Sequence, residues 1–355
     1  MKKNVILIVF YLLFAFYNGF MLAQSGYANK KDIEEIKNRT LVVCVETGDE
    51  KAMEKLANSP NTLKEYKDKL DYFNESMKKI ITKNWKLHTK IEYKNFDEVR
   101  EIEKSNNKDY VVLMFNKVNV GNGLTAKFSS GGNYAVNRYD PLISTKGNRW
   151  VDLFTITKRN LDVGTLQLRL PERGGTIPSV YVNLSSTDPL EEDIYYAIYQ
   201  LQKYVEIVPQ TNALNRDYWV KSTRENSHKL KDKKLYILEP FLNKSLTIGM
   251  FKDLYPHEIV VADEETYRNV IVNNVPDAAY VMIVPMIDQT ALIYTTKDTK
   301  DNSVKICWTH YIVDASNGEI IAYSDWYDSN PFSLIEEDYN LTIKKDNLKH
   351  YLKKR

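Results

Sequence analysis

One structural plan is written twice along this chain, and that constrains the fold more than any other feature. Thr40-Leu41-Val42-Val43-Cys44-Val45 is an unbroken apolar run behind Lys37 and Arg39, the pattern of a strand buried on both faces. Lys233-Lys234-Leu235-Tyr236-Ile237-Leu238 repeats it, basic lead-in included. In the first half Lys90-Ile91-Glu92-Tyr93 leads through Asp97-Glu98-Val99-Arg100-Glu101-Ile102 to Asp109-Tyr110-Val111-Val112-Leu113-Met114-Phe115. In the second, Glu258-Ile259-Val260-Val261 leads through Glu264-Glu265-Thr266-Tyr267-Arg268-Asn269-Val270 to Ala279-Tyr280-Val281-Met282-Ile283-Val284. Both middle segments begin with acids, as a helix N-terminus favours. The offset is 168 from Ile91 to Ile259 and 170 from Tyr110 to Tyr280, but 194 from Leu41 to Leu235, so the first half must hold a longer segment between its first two strands.

Hairpin sequence follows in each half. It lies near residues 149–157 and 165–170 in the first, and at 305–313 and 319–326 in the second, where Asn317-Gly318 is the strongest turn signal of the chain. Between the halves, Thr187-Asp188-Pro189 supplies an N-cap and a first-position proline, and Glu191, Glu192 and Asp193 fill the first turn. Leu190, Ile194, Ile198, Leu201 and Val205 then form one apolar stripe, expected to pack on the first sheet. The expected fold is therefore α/β (α+β): two tandem related domains, each a mixed sheet flanked by helices, after an N-terminal signal peptide. The segments are a signal peptide at 1–23, a first domain at 33–210 with its helix at 189–205, a linker at 211–232, a second domain at 233–330 and a basic C-terminal tail at 331–355. Residues 344–355 hold six Lys or Arg and read as a short basic helix or tail, with at most peripheral contact to anionic headgroups.

The leader combines Lys2 and Lys3, an apolar run from Val5 to Tyr17, and Ala23 before Gln24 as the cleavage site, with Gly26-Tyr27-Ala28 as a second possibility. Retention as an anchor is the competing reading. No cysteine stands near the boundary, so bacterial lipoprotein attachment is excluded. A periplasmic or secreted location is expected. The chain has 49 basic and 47 acidic residues, and removing Lys2 and Lys3 leaves it formally neutral. A nucleic-acid partner normally demands a basic excess, so none is expected. The leader ending Ala23-Gln24 resembles those of exported Bacteroidetes proteins.

Residues 233–326, with the phrase Ile312-Val313-Asp314-Ala315-Ser316-Asn317-Gly318-Glu319-Ile320-Ile321, resemble the small α/β domain of the amino-terminal part of the Tol-system propeller protein and of the curli secretion-channel lipoproteins. Residues 37–160 resemble it more faintly. The resemblance implies an envelope assembly or interaction module without catalysis. The chain departs from those families in having no lipidated cysteine, no propeller repeat and no strand pair of membrane-barrel length, so channel formation is not implied.

Side chains that could carry chemistry are few. Cys44 lies inside an apolar strand, and Cys307 and His310, three apart on a strand, point to opposite faces. The five histidines show no metal-ligand spacing, and there is no nucleophile elbow, P-loop or dinucleotide fingerprint. No metal or other cofactor is expected. Glu191, Glu192 and Asp193 could serve glycosidic chemistry but also suit a helix start. Gly131 and Gly132, and Arg173 with Gly174 and Gly175, could form ligand-cradling turns. Tyr323, Trp326 and Tyr327 close the last hairpin and could present an interaction surface in a chain with 25 tyrosines. The expected function is non-catalytic binding or scaffolding in the periplasm or at the outer membrane, with envelope proteins as partners. The alternative is a glycan- or cell-wall-directed binding protein or hydrolase.

Overall fold

A computed structural model describes residues 24–26, 28–121, 160–173, 178–210, 223, 225–286, 307–324 and 342–351. The first half runs β1 (Gln24–Gly26), α1 (Lys30–Asn38), β2 (Thr40–Val45), α2 (Glu50–Leu56), α3 (Pro60–Asn84), β3 (Ile91–Asn95), α4 (Phe96–Lys104), β4 (Tyr110–Gly121), β5 (Asn160–Arg169), β6 (Val180–Asn183) and α5 (Glu191–Ile207). The second runs β7 (Lys234–Leu238), α6 (Ile248–Leu254), β8 (Ile259–Ala262), α7 (Glu264–Val272), β9 (Ala278–Met286), β10 (Cys307–Asp314), β11 (Ile320–Ser324) and α8 (Lys345–Tyr351).

The two sheets have the same plan. The first is ordered β1-β6-β5-β4-β2-β3 and the second β11-β10-β9-β7-β8. With β1 set aside, each strand of one has a counterpart in the other. Each sheet has three parallel strands, with the first of the repeat in the middle. Each then adds two antiparallel strands on one side. The agreement reaches single residues. Asn95 caps α4 through the Glu98 amide, and Asp263 caps α7 through the Thr266 amide. Both helices end on a left-handed asparagine, Asn106 (φ 51°) and Asn274 (φ 56°). The next amide, Asn107 or Val275, bonds back to Ile102 or Val270, which completes the same Schellman turn 168 positions apart. The longer segment anticipated in the first half is α3, a 25-residue helix where the second half has the seven-residue α6.

Period-two alternation divides the side chains of the first sheet. Leu41, Val43, Val111, Leu113, Phe115, Leu166 and Leu168 face the main core, under α1, α3 and α5. Val42, Cys44, Val112 and Met114 face the other way, against Phe96, Val99 and Ile102 of α4. Cys44 thus stays a buried thiol in a second, smaller core. Each large apolar side chain so buried contributes about 1.5–3 kcal/mol.

Helix α5 departs from the one-sided stripe. It begins at Glu191, two residues beyond Pro189, because the Asp193 carboxylate accepts from the Leu190 amide and so caps the helix from inside its first turn. It is buried nearly all round: Ile194, Ile198, Leu201 and Val205 are covered, and so are Glu192, Tyr195, Tyr196, Gln200 and Gln202. The reason is that both halves pack on it. Gln202 caps the end of α3, accepting from the Lys86 amide (2.7 Å) and donating to the Asn84 carbonyl (3.1 Å). On the opposite side Arg268 Nε meets Glu192 at 3.0 Å, the Tyr195 hydroxyl meets Asn274, and Gln200 donates to the Gly318 carbonyl (2.8 Å). The Asn317-Gly318 hairpin of the second half therefore ends on α5, with Gly318 at φ +68° against the Tyr199 ring.

The basic C-terminal segment is a helix over Lys345–Tyr351, and it is docked rather than solvated. Leu348 and Tyr351 are fully buried, the Tyr351 hydroxyl bonds His310 Nδ1 (2.7 Å), and Ile343 pairs with the backbone beside Phe241. Its position after the last strand matches that of α5 in the first repeat. Truncation at residue 344 is expected to destabilise the second domain severely, whereas loss of a solvated tail would leave a thermal melt unchanged.

A histidine ties α1 to the end of α3. His88 Nδ1 accepts from Trp85 Nε1 (2.9 Å) and Nε2 donates to the Ile36 carbonyl (2.6 Å), which satisfies the neutral ring completely. Burial holds its pKa below the ordinary value. Unfolded chains therefore bind this proton more readily than folded ones. The contribution of His88 is expected to be complete above about pH 6.5, the free value, and to fall as the pH drops below it. Urea midpoints at pH 7 and pH 5 should differ more for the wild type than for His88→Gln; an equal difference would remove His88 as the cause.

Candidate functional site

Among the sequence-predicted site residues, Ala23, Gly131, Gly132, Gly174, Gly175, Trp326 and Tyr327 lie outside the described residues. Gln24 opens β1 and pairs with Val182. Tyr323 sits on β11 opposite Tyr311, half-buried against the main core. Arg173 ends the 3-10 turn after β5, in the other sheet, so the structure does not bring these two together.

The surroundings of Arg173 are an ion-pair network. Its guanidinium pairs with Asp32, which also caps α1 by accepting from the Asn29 amide (2.8 Å). Its neighbour Glu172 takes both terminal nitrogens of Arg39, which also reaches Glu35 and the Tyr110 carbonyl. The Arg39 hydrogen bond holds the Glu172 carboxyl down at about 2. These contacts fasten the exit of β5 to α1. Arg173 is thereby engaged by a carboxylate of its own domain.

The three acids at the start of α5 are committed in the same way. Glu191 pairs with Lys79 (2.8 Å), Glu192 is buried against Arg268, and Asp193 accepts from the Ser185 hydroxyl while capping its own helix. Cys307 and His310 lie on β10, and His310 is buried against Tyr351 of α8. Among the described residues no three His, Cys, Asp or Glu side chains gather as a metal ion would require, and no described helix is long and apolar enough to cross a membrane.

One polar constellation was missed by the sequence reading. Thr165, Gln167 and Arg169 alternate along β5 with Leu166 and Leu168, a pattern that implies a solvated face, yet all three are buried, with Asn183 beside them on β6. Thr165 donates to the Asn116 carbonyl and accepts from Gln167 (both 2.8 Å). Arg169 Nε lies 3.0 Å from Glu103 on α4, and Nη1 contacts the Met114 sulfur. Gln167 Oε1, Asn183 Oδ1 and Arg169 Nη2 have no hydrogen-bond partner among the described residues. Burial pushes Glu103 up and Arg169 down, so desolvation outweighs their mutual attraction. The alternation itself was the available signal: a buried arginine demands a carboxylate, and Glu103 on the helix facing that sheet is where one could have been sought.

The fold and these side chains define a class: a two-repeat α/β protein whose halves share one buried helix. Comparison with family models, with curated proteins and with solved structures gave no match.

Proposed function

We propose that the protein is a non-catalytic binding or scaffolding component of the bacterial envelope, exported by its leader to the periplasm or outer membrane. The observation that carries this reading is the commitment of its acids. Glu191, Glu192 and Asp193, the group best suited to glycosidic chemistry, are held by Lys79, Arg268 and the helix start. General acid catalysis needs a carboxyl that can hold and release its proton beside substrate. An acid that is capped or ion-paired in a domain seam serves rigidity instead. The shared helix supports the same reading, since it joins two repeats into one body with a fixed spacing between their outer surfaces.

The test is capture on the tagged, exported protein from solubilised envelopes, with the same preparation incubated on purified cell-wall glycan. A stoichiometric envelope partner and intact glycan are expected. Release of soluble glycan fragments, abolished by Glu191→Gln or Glu192→Gln in a protein that still folds, would overturn the reading.

A further inference from the structure

The two repeats end their sheets on equivalent strands, β3 and β8, and treat those edges differently. Among the described residues neither strand has a neighbour on its outer side. On β3 the edge is charged: Lys90, Glu92 and Lys94 form linked ion pairs, and Lys78 covers the Tyr93 ring. Such side chains discourage edge-to-edge pairing. On β8 the same positions are Glu258, Val260 and Ala262, and the strand reads Ile-Val-Val-Ala, half-exposed over its first three residues. The crossover helix that delivers the chain to β8 carries Ile248 (74 % exposed) and Met250 (37 %).

We propose that β8 pairs with β8 of a second copy of this chain, antiparallel about a two-fold axis at Val260. The backbone fixes this register. The Leu235 amide bonds to the Glu258 carbonyl, so residues 258, 260 and 262 turn their backbone groups toward β7, and Ile259 and Val261 turn theirs outward. A two-fold at Val260 sets Ile259 opposite Val261 of the other copy, and Val261 opposite Ile259. Each pair exchanges two N–H···O bonds, the close-paired arrangement of an antiparallel ladder. Polar side chains agree with the register. Half-buried His257 comes opposite exposed Asp263 twice, and Glu258, ion-paired with Lys234 of its own sheet (3.1 Å), comes opposite Ala262. A closed two-fold contact uses one self-complementary patch and leaves β3 outside it. This inference goes beyond the scaffolding role and does not depend on which envelope partner is bound.

The test is sedimentation of the purified protein over a range of micromolar concentrations, beside Val261→Pro and Tyr93→Pro. Proline at 261 removes an outward amide without touching the ladder to β7, and Tyr93 is its counterpart on the guarded edge. The wild type is expected at twice the mass of the purified chain. Val261→Pro should raise the dissociation constant about a hundredfold, one lost hydrogen bond in each copy, and Tyr93→Pro should leave it unchanged. A monomeric wild type, or a Val261→Pro dimer of undiminished affinity, overturns the proposal. Should Val261→Pro fail to fold, hydrogen exchange of the wild type decides. Ile259 and Val261 amides protected in proportion to protein concentration support the pairing, and fast exchange at every concentration refutes it.

Discussion

Gly318→Ala is expected to lower stability by about 2–5 kcal/mol and to loosen the second repeat from α5. Two penalties combine. Gly318 sits at φ +68°, a left-handed conformation that costs an L-residue about 1–2 kcal/mol. A Cβ there would lie 2.4 Å from the Tyr199 ring and 2.9 Å from Tyr199 Cβ. The second contact is close to the backbone and cannot swing aside, so overpacking adds about 1–3 kcal/mol. A double-mutant cycle with Tyr199→Ala removes the ring contact and keeps the contact to the Cβ of residue 199. Chemical denaturation should show Gly318→Ala costing less when Tyr199 is already alanine, with the φ penalty and the Cβ contact remaining. Strict additivity would mean that the ring contact is not what makes glycine necessary.

The largest single effect is expected at the pair beneath α4. Glu103→Ala should cost about 3–5 kcal/mol, because it leaves Arg169, 2 % exposed, as a buried charge without its carboxylate. Replacing both residues with methionine should come within about 1 kcal/mol of the wild type, or above it. The pKa directions support this, since burial moves both groups toward their neutral forms in spite of their pairing. The urea midpoints of the single and double variants check it. A double variant as unstable as the single one would mean that the guanidinium is held by contacts beyond Glu103.

Much of the architecture was legible because it depends on local pattern. The run at Leu41, its repeat at Leu235, the acid-led helices and the Asn317-Gly318 turn all lie where periodicity and turn chemistry place them. Mixed sheets followed as well, from strand–helix alternation with added hairpins, whereas the strand order came only with the structure. What was not legible depends on a second surface. The stripe Leu190–Val205 predicts one buried face of α5, and nothing local says that Tyr195, Tyr199 and Glu192 meet the other repeat. The same holds for the C-terminal segment, where the lysines masked Leu348 and Tyr351. Thr165, Gln167 and Arg169 obeyed the alternation rule and were still buried. Of the candidate site, only Arg173, Tyr323 and Gln24 fall within the described residues, and each is engaged in its own domain or sheet.

The sharing of α5 also sets an order of events. The elements of the first repeat, α5 included, are all synthesised before any of the second. The second repeat leans Arg268, Asn274 and Tyr280 toward a helix that belongs to its predecessor. A chain made from its N-terminus thus presents a finished template to which the later half anneals. Until that half arrives, the side of α5 bearing Glu192, Tyr195 and Tyr199 stays wet and adhesive. Stalling between residues 207 and 234 would therefore be the hazardous moment in the life of this protein, and a chaperone that shields one aromatic helix face would be the natural remedy.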